Sequence, residues 1–269
     1  MADDSFRFLR PWHQLLPPAG SAVVAVAGHG GCTTTLLRLV STYREGGARV
    51  LVAHTVARAV PFALQEHRCP ADAGAVRAML DGDGIAYVAG PGDPAEAIAP
   101  DALDALARAA DAEVVLVEAG VPNGGRLPRD PIPAPVWPSR LHLALIVGHL
   151  GLVGRARGPR TVEGVDDVVT DDAGEVVRIT SDDVIDAVAR ALPAVPDGVR
   201  ALPFLTGFGA FRDMDGMFAV VERLLDPPAR PVVCFGELLG DERRDAADLR
   251  GTEHVIESPW IDEERVYAV

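Results

Sequence analysis

The chain has 269 residues and contains no lysine, so its permanently cationic side chains are all arginines. Acidic residues number 39 against 25 basic ones, which gives a formal net charge of −14. Nucleic acids and anionic membranes are bound by clustered cations. This charge balance therefore argues against a nucleic-acid partner and against a membrane surface.

Cysteines are few, and long apolar runs are missing. Cys32, Cys69 and Cys234 lie far apart and form neither a paired metal-ligand spacing nor a disulfide framework. The first residues lack the basic start and apolar core of a signal peptide, and no apolar run is long enough to span a bilayer. The sequence predicts a cytoplasmic protein in a reducing compartment.

Apolar segments alternate with segments of helical periodicity. Strands are predicted at residues 22–27, 49–53, 84–88, 113–118, 141–147, 199–205 and 232–235. Helices are predicted at residues 36–43, at 94–110, after a cap at Thr180, and through Phe218, Val221 and Leu225. The alternation predicts an α/β fold of three layers, with helices on both faces of a mostly parallel sheet.

The chain is predicted to fold as one main domain, residues 21–240, after a leader at residues 1–20. An acidic segment at residues 241–269 is expected to pack on the same domain. Residues 121–139 are too rich in proline for regular structure, and the Asp-Gly repeat at residues 81–84 is predicted to be a turn.

A glycine-rich turn follows the first predicted strand and precedes an amphipathic helix. Its residues are Gly28, His29, Gly30, Gly31, Cys32, Thr33 and Thr34. This layout is typical of a P-loop, which binds phosphate with backbone N–H groups at the positive end of a helix. In such loops a lysine follows the last glycine, and here Cys32 takes that place. The turn either still binds nucleotide or persists only as a strand-to-helix connection.

His29 and Glu118 are the polar side chains that accompany this turn. His29 is expected either to contact a bound anion or to be a solvated loop residue. Glu118 ends a predicted strand at the edge where α/β sheets bind ligands. With the hydroxyl of Thr33 it predicts a Mg²⁺ site, and it is also the candidate catalytic acid. The alternative is a surface acid at a strand end.

Cys32 suggests a different chemistry, because a thiol at a helix N-terminus can have a lowered pKa and act as a nucleophile. Cys32 and Arg38 match the Cys-x₅-Arg spacing of cysteine phosphatases. Helical geometry turns Arg38 away from the loop, which disfavours that activity. Thiol chemistry on sulfur or selenium stays open as an alternative.

With these motifs the chain resembles the YqeC family of selenium-dependent hydroxylase accessory proteins, from about residue 22 to residue 235. The family's loop, Gly-x-Gly-Gly-Lys-Thr-Thr, appears with Cys32 in place of lysine. Its Glu-Ala-Asp-Gly signature appears at residues 118–121 as Glu-Ala-Gly-Val. Two later arginine-containing stretches, which end at Arg129 and Arg160, follow the family's course.

Departures from the family fall on its polar positions. The replaced positions are Cys32, Val56, Gly120, Ala134 and Thr206. Glu118, Arg129 and Arg160 remain, and either arginine is expected to take over part of the lysine's role at the phosphates, although a guanidinium is larger and differently shaped. The departures therefore predict weak or absent NTP hydrolysis.

The resemblance implies a P-loop protein that serves in the maturation of selenium-dependent molybdenum hydroxylases. It also implies a Mg-nucleotide, ATP or GTP, as cofactor. The implied partners are a molybdenum hydroxylase or its cofactor-maturation proteins. Two other readings stay open: an active nucleotide-dependent enzyme that uses a substitute arginine, and a non-catalytic interaction module.

Overall fold

The computed structural model describes residues 7–8, 15–130, 132–207, 232–239 and 250–257. Ten strands form one sheet. In chain order they are β1 (Arg7–Phe8), β2 (Ala22–His29), β3 (Val50–His54), β4 (Arg68–Cys69), β5 (Ile85–Val88), β6 (Val114–Glu118), β7 (Leu143–His149), β8 (Arg200–Thr206), β9 (Val232–Leu239) and β10 (Arg250–Glu257). The α-helices of these described ranges are α1 (Cys32–Glu45), α2 (Ala73–Asp83), α3 (Pro100–Ala109) and α4 (Ser181–Ala191).

The strand order across the sheet is β1-β10-β9-β8-β7-β2-β6-β3-β5-β4. Every neighbouring pair from β9 to β4 is parallel. The two remaining pairs, β10 with β9 and β1 with β10, are antiparallel. The predicted fold class, an α/β architecture with a mostly parallel sheet, is confirmed.

Both faces of the central strands are apolar and buried, as a covered parallel sheet requires. Val24 and Val26 of β2 pack with α1 on one face. Val23 and Ala25 pack with α2 and α3 on the other. On this second face, Ile146 of β7 packs with α4. Helices therefore cover both faces, which gives the three predicted layers.

The predicted strands are confirmed within one or two residues at most ends, but one helix and three strands were missed. Sequence reasoning did not predict α2, β1, β4 or β10. The prediction that the Asp-Gly repeat is a simple turn was wrong. That repeat is the last turn of α2, and Gly84 terminates the helix in a left-handed conformation, with φ +70°. In this short helix Val76 and Leu80 are the buried residues, so its apolar pattern is weak.

The start of α4 is fixed by the predicted capping residue. Thr180 and Asp183 form a reciprocal capping box at the start of α4, which confirms the predicted cap. By contrast, α3 begins at Pro100, later than the predicted start at residue 94, because residues 95–98 run beside the chain that follows β3. Ala95 exchanges backbone hydrogen bonds with Arg58, and the Ile98 amide donates to the His54 carbonyl.

Some predictions fall beyond these ranges. The helix expected through Phe218, Val221 and Leu225 lies outside the described residues. Of the acidic segment at 241–269, the structure describes residues 250–257, which form β10. The division into leader, main domain and acidic segment stays a prediction. Among the described residues, no helix has both the length and the apolar character needed to cross a bilayer.

Candidate functional site

The glycine-rich turn joins β2 to α1 at the carboxyl edge of the sheet. Gly30 and Gly31 have φ of +67° and +78°, in the left-handed region that favours glycine. Close packing also excludes a side chain at this position, because a Cβ on Gly30 would lie 2.6 Å from the Cβ of His149. A Cβ on Gly31 would lie 2.9 Å from the hydroxyl oxygen of Thr206. The turn therefore has both the conformation and the packing of a tight phosphate-loop bend.

The start of α1 leaves its first backbone amides without a side-chain cap. Gly31 is the N-cap residue, and no acidic residue lies in the first turn. The N-terminal N–H groups of a helix need partners from outside the helix, and they favour an anion. In α2 and α4, the side chains of Asp72 and Thr180 supply that cap. At α1 the uncapped amides lie beside a cleft.

This cleft has a volume of about 510 Å³ and is lined by the turn and two neighbouring loops. The turn contributes Gly28, Gly30, Gly31, Cys32, Thr33 and Thr34. The loop after β3 contributes residues 58–62, and the chain at the end of β6 contributes Glu118 and residues 120–125. The cleft therefore sits outside the carboxyl ends of three adjacent strands, β2, β6 and β3, where open α/β sheets bind ligands.

In the cleft, the Glu118 carboxylate contacts both Thr33 and Arg58. Glu118 is the last residue of β6, and 2% of its side chain is exposed. Thr33 Oγ1 lies 3.1 Å and 3.3 Å from the two carboxylate oxygens and donates its hydroxyl hydrogen to them. The guanidinium of Arg58 forms an ion pair with the same carboxylate. The alternative of a surface acid is wrong, because Glu118 is buried.

Arg58 is the functional candidate that sequence reasoning missed. It lies four residues beyond the end of β3, and 13% of its side chain is exposed. Its backbone N–H donates to the Ala95 carbonyl at 3.2 Å and its carbonyl accepts from the Ala95 amide at 2.8 Å. The available signal was its place as the first arginine after a strand predicted to lie near the turn.

The two arginines expected at the phosphates lie elsewhere. Arg129 and Arg160 are both exposed, and neither lines the cleft. The backbone amide of Arg129 is 3.5 Å from a carboxylate oxygen of Glu163. Their predicted binding role remains a prediction, while among the described residues Arg58 is the arginine that lines the cleft.

Cys32 is a half-buried thiol in the wall of the cleft and is not activated for nucleophilic attack. Burial raises its pKa well above the ordinary range, and the negative charge of Glu118 raises it further. The Arg58 guanidinium acts in the opposite direction but more weakly. A thiol with a raised pKa is a poor nucleophile at neutral pH. The structure therefore argues against thiol chemistry at this position.

His29 is enclosed, so the expectation of a solvated loop residue is wrong. It is 2% exposed and lines a small cavity of about 30 Å³ and not the cleft. Burial lowers the pKa of its imidazole to about 3, and His149 contributes to the same shift. Within the described residues, His29 Nε2 has no hydrogen-bond partner. The imidazole is therefore neutral at physiological pH and adds no positive charge to the turn.

His149 and Thr206 end the strands on the other side of the turn. His149 Nδ1 is 3.2 Å from Thr206 Oγ1, and these residues end β7 and β8. Burial also lowers the pKa of His149. The pair packs beneath Gly30 and Gly31, which explains why the turn tolerates no side chain there.

The donor set suits a hard cation only in part. Thr33 and Glu118 supply oxygen ligands, which Mg²⁺ prefers, and Mg²⁺ commonly keeps several waters besides one or two protein ligands. Among the described residues, no group of three or more His, Cys, Asp or Glu side chains is placed to hold a metal ion. A magnesium ion here would depend on phosphate oxygens and water for its remaining ligands.

No protein-family model and no curated protein matches the chain. Among solved structures, it is similar to FlhF complexed with GMPPNP/Mg²⁺, with 12% identity, a TM-score of 0.48 and coverage of 88% of this chain and 72% of that one. It is also similar to FtsY from Thermotoga maritima, with 19% identity, a TM-score of 0.44 and coverage of 88% and 67%. A third similar structure is FtsY from Mycoplasma mycoides, with 13% identity, a TM-score of 0.45 and coverage of 88% and 66%.

The chain therefore spans about two thirds of the length of the FtsY structures that it matches. Its P-loop-like fold is evident from the parallel sheet, the left-handed glycine turn and the uncapped α1. Since no family model matches, the resemblance to the YqeC family remains a prediction.

Proposed function

We propose that the chain binds a Mg-nucleotide through the glycine-rich turn and hydrolyses it weakly or not at all. The observation that carries this proposal is the convergence in one cleft of the uncapped start of α1, the Thr33 hydroxyl and the Glu118 carboxylate. Backbone donors of this kind bind phosphate oxygens. A hydroxyl and a carboxylate side by side are the usual protein ligands of the accompanying Mg²⁺.

Each group has a definite part in such a complex. The amides at Gly31, Cys32 and Thr33 would hold phosphate oxygens, and Thr33 and Glu118 would hold Mg²⁺. The bound ion would neutralise phosphate charge. The side chains of Thr33 and Glu118 are already oriented relative to each other, because the Thr33 hydroxyl is hydrogen-bonded to the Glu118 carboxylate.

Weak hydrolysis follows from what surrounds these groups. The chain contains no lysine, and Cys32 is a neutral thiol in the place where a P-loop has its lysine. Positioned charges supply most of the rate enhancement in phosphoryl transfer. Glu118 is engaged by Arg58 and Thr33, so it is a poor base for a water molecule.

In the cell, we propose, the chain is an accessory protein for the maturation of selenium-dependent molybdenum hydroxylases. Support for this role comes from the sequence resemblance to the YqeC family, with its altered loop and its retained glutamate. A cytoplasmic location and a molybdenum hydroxylase or one of its maturation proteins as partner belong to the same proposal. Deleting the gene should lower molybdenum hydroxylase activity without lowering the amount of hydroxylase protein; unchanged activity would contradict the role.

Nucleotide binding is tested by calorimetric titration of the chain with ATP and with GTP, each with Mg²⁺ and with EDTA, alongside phosphate-release assays. We expect saturable binding with turnover well below about 1 s⁻¹, the low end for kinases. Absence of binding to either nucleotide would contradict the proposal and favour an interaction module in which the turn is only structural. Fast turnover would contradict the weak hydrolysis.

An active nucleotide-dependent enzyme is the second candidate, and one observation favours it. Arg58 puts a guanidinium into the cleft within reach of Glu118. An arginine that stabilises transferring phosphate can raise hydrolysis by about 10³-fold or more. If the chain is such an enzyme, its nucleotide hydrolysis is measurable in the wild type, and Arg58→Ala would abolish it.

A further inference from the structure

We propose that Arg58 and Glu118 form a latch that makes the binding of Mg²⁺ and of nucleotide phosphate depend on each other, with Arg58 acting as the cation that the turn lacks. The inference rests on the proposed nucleotide binding and deepens it. It assigns a phosphate-binding role to a residue outside the glycine turn.

The position of Arg58 is the first support. Of the described residues that line the cleft, it is the one that carries a positive charge. Its backbone is held by two hydrogen bonds to Ala95, so the guanidinium starts from a fixed point. Its side chain is mostly buried, with 13% exposed, which strengthens its interaction with an anion relative to a surface arginine.

The contacts of the Glu118 carboxylate with Thr33 and Arg58 give the second support. The carboxylate accepts the Thr33 hydroxyl hydrogen bond and pairs with the Arg58 guanidinium. Thr33 and Glu118 are also the two oxygen groups that suit Mg²⁺. Arg58 therefore occupies a carboxylate oxygen that a metal ion would need.

Binding both ligands together should cost less free energy than binding either one alone. Mg²⁺ alone has to displace the guanidinium from a buried carboxylate. Phosphate alone has to draw the Arg58 guanidinium away from the buried Glu118 carboxylate, and separating a buried ion pair is costly. When both bind, Mg²⁺ neutralises Glu118 while Arg58 neutralises the phosphate. The pair therefore gives positive coupling between the two ligands.

A purely structural ion pair would predict something else. In that case Arg58 would stay on Glu118 with ligand bound, and its removal would change stability but not the dependence of nucleotide affinity on Mg²⁺. The dependence on Mg²⁺ is therefore the quantity to measure.

The experiment is calorimetric titration with ATP and with GTP, in Mg²⁺ and in EDTA, on the wild-type chain and four variants. The variants are Arg58→Gln, Glu118→Gln, the double variant of both, and Arg140→Gln. Arg140 is exposed and lies outside the cleft, so it is the matched control. The double variant keeps a neutral pair in case a single replacement leaves an unbalanced charge and fails to fold, and thermal melting checks every chain.

In the wild type we expect Mg²⁺ to raise nucleotide affinity by roughly tenfold or more. Glu118→Gln frees Arg58, so in EDTA it should bind nucleotide about fivefold more tightly than the wild type, and Mg²⁺ should add less than about twofold. Arg58→Gln and the double variant should lose about tenfold in affinity in Mg²⁺, where the wild-type guanidinium is free to hold phosphate, and clearly less in EDTA, where it is held by Glu118. Mg²⁺ should therefore raise the affinity of both variants less than it raises that of the wild type. Arg140→Gln should behave as the wild type.

Other results separate the latch from the proposed function. Wild-type binding that Arg58→Gln leaves unchanged, or that Glu118→Gln fails to strengthen in EDTA, overturns the latch but keeps nucleotide binding. A Glu118→Gln chain that binds nucleotide while the wild type does not supports the latch and overturns binding by the resting chain. If neither chain binds, both proposals fail.

Discussion

Thr33 Oγ1 donates to both carboxylate oxygens of Glu118, at 3.1 Å and 3.3 Å, and so ties the first turn of α1 to the end of β6. The two residues are 85 positions apart in sequence. They meet because β2 and β6 are neighbouring parallel strands, with Val26 of β2 in register with Glu118. The hydroxyl and the carboxylate are thus arranged side by side without help from a bound ligand, which reduces the ordering that binding requires.

Replacing Thr33 by valine should weaken nucleotide binding in Mg²⁺ and leave binding in EDTA nearly unchanged. The methyl group of valine fills the space of the hydroxyl but cannot donate to Glu118 or bind a metal ion. We expect a loss of at least about tenfold in Mg²⁺, the usual cost of removing a group that supports a metal site. Titration calorimetry measures it. Thr33→Ser should recover the affinity, and Thr42→Val, further along α1, is the control. Equal losses in Mg²⁺ and EDTA would show that Thr33 acts on folding and not on the metal.

Gly30→Ala should destabilise the chain more than Gly47→Ala. Both glycines have left-handed φ, +67° and +78°, so each substitution incurs the strain of that conformation, roughly 1 kcal/mol. A Cβ on Gly47 meets no atom within 4 Å, whereas on Gly30 it would lie 2.6 Å from His149 Cβ. Overpacking of that kind costs a further 1–3 kcal/mol or so. Urea denaturation of the two variants gives the difference. Equal free energies of unfolding would mean that the close approach to His149 is absent.

Cys32 should resist alkylation in the native chain. Burial and the charge of Glu118 raise its pKa, so little thiolate forms at neutral or mildly alkaline pH. We expect slow labelling by iodoacetamide at pH 8 and fast labelling after unfolding in urea, followed by peptide mass mapping to separate Cys32 from the other cysteines. Glu118→Gln removes a charge that opposes ionisation and should speed labelling of Cys32. Rapid labelling of the native wild type would restore the thiol hypothesis.

Stability should fall as the pH is lowered from about 6.5 towards 3, in part because of His29. Its folded-state pKa is about 3, against an ordinary value of 6.5. Between these values the unfolded chain binds a proton that the folded chain does not, so the free energy of unfolding rises with pH. One such proton contributes roughly 1 kcal/mol per pH unit.

The check is urea denaturation of the wild type and His29→Asn at several pH values between 4 and 7. The variant should show a shallower dependence of unfolding free energy on pH, with a residual slope from other groups, such as His149, whose pKa burial also lowers. An identical slope in the two chains would show that His29 takes up its proton in the folded state.

Local patterns in the sequence were sufficient for much of the fold. The continuous apolar runs of β2, β6 and β7 predicted buried parallel strands, and Thr180 predicted the start of α4. These features depend on residues within a few positions of one another. Sequence reasoning missed α2 because its local pattern is weak: its buried positions are few, and Gly74 and Gly82 interrupt the helical periodicity.

The sequence by itself determined the α/β class, the glycine turn without its lysine, and Glu118 as the acid beside it, since each follows from neighbouring residues. Only the tertiary structure decided which arginine of the described residues lies at the cleft. Arg129 and Arg160 were the expected candidates, yet the crossover that inserts β6 between β2 and β3 brings Arg58 to the cleft. Burial of His29 and the raised pKa of Cys32 were decided in the same way, because both depend on packing between strands that are distant in sequence.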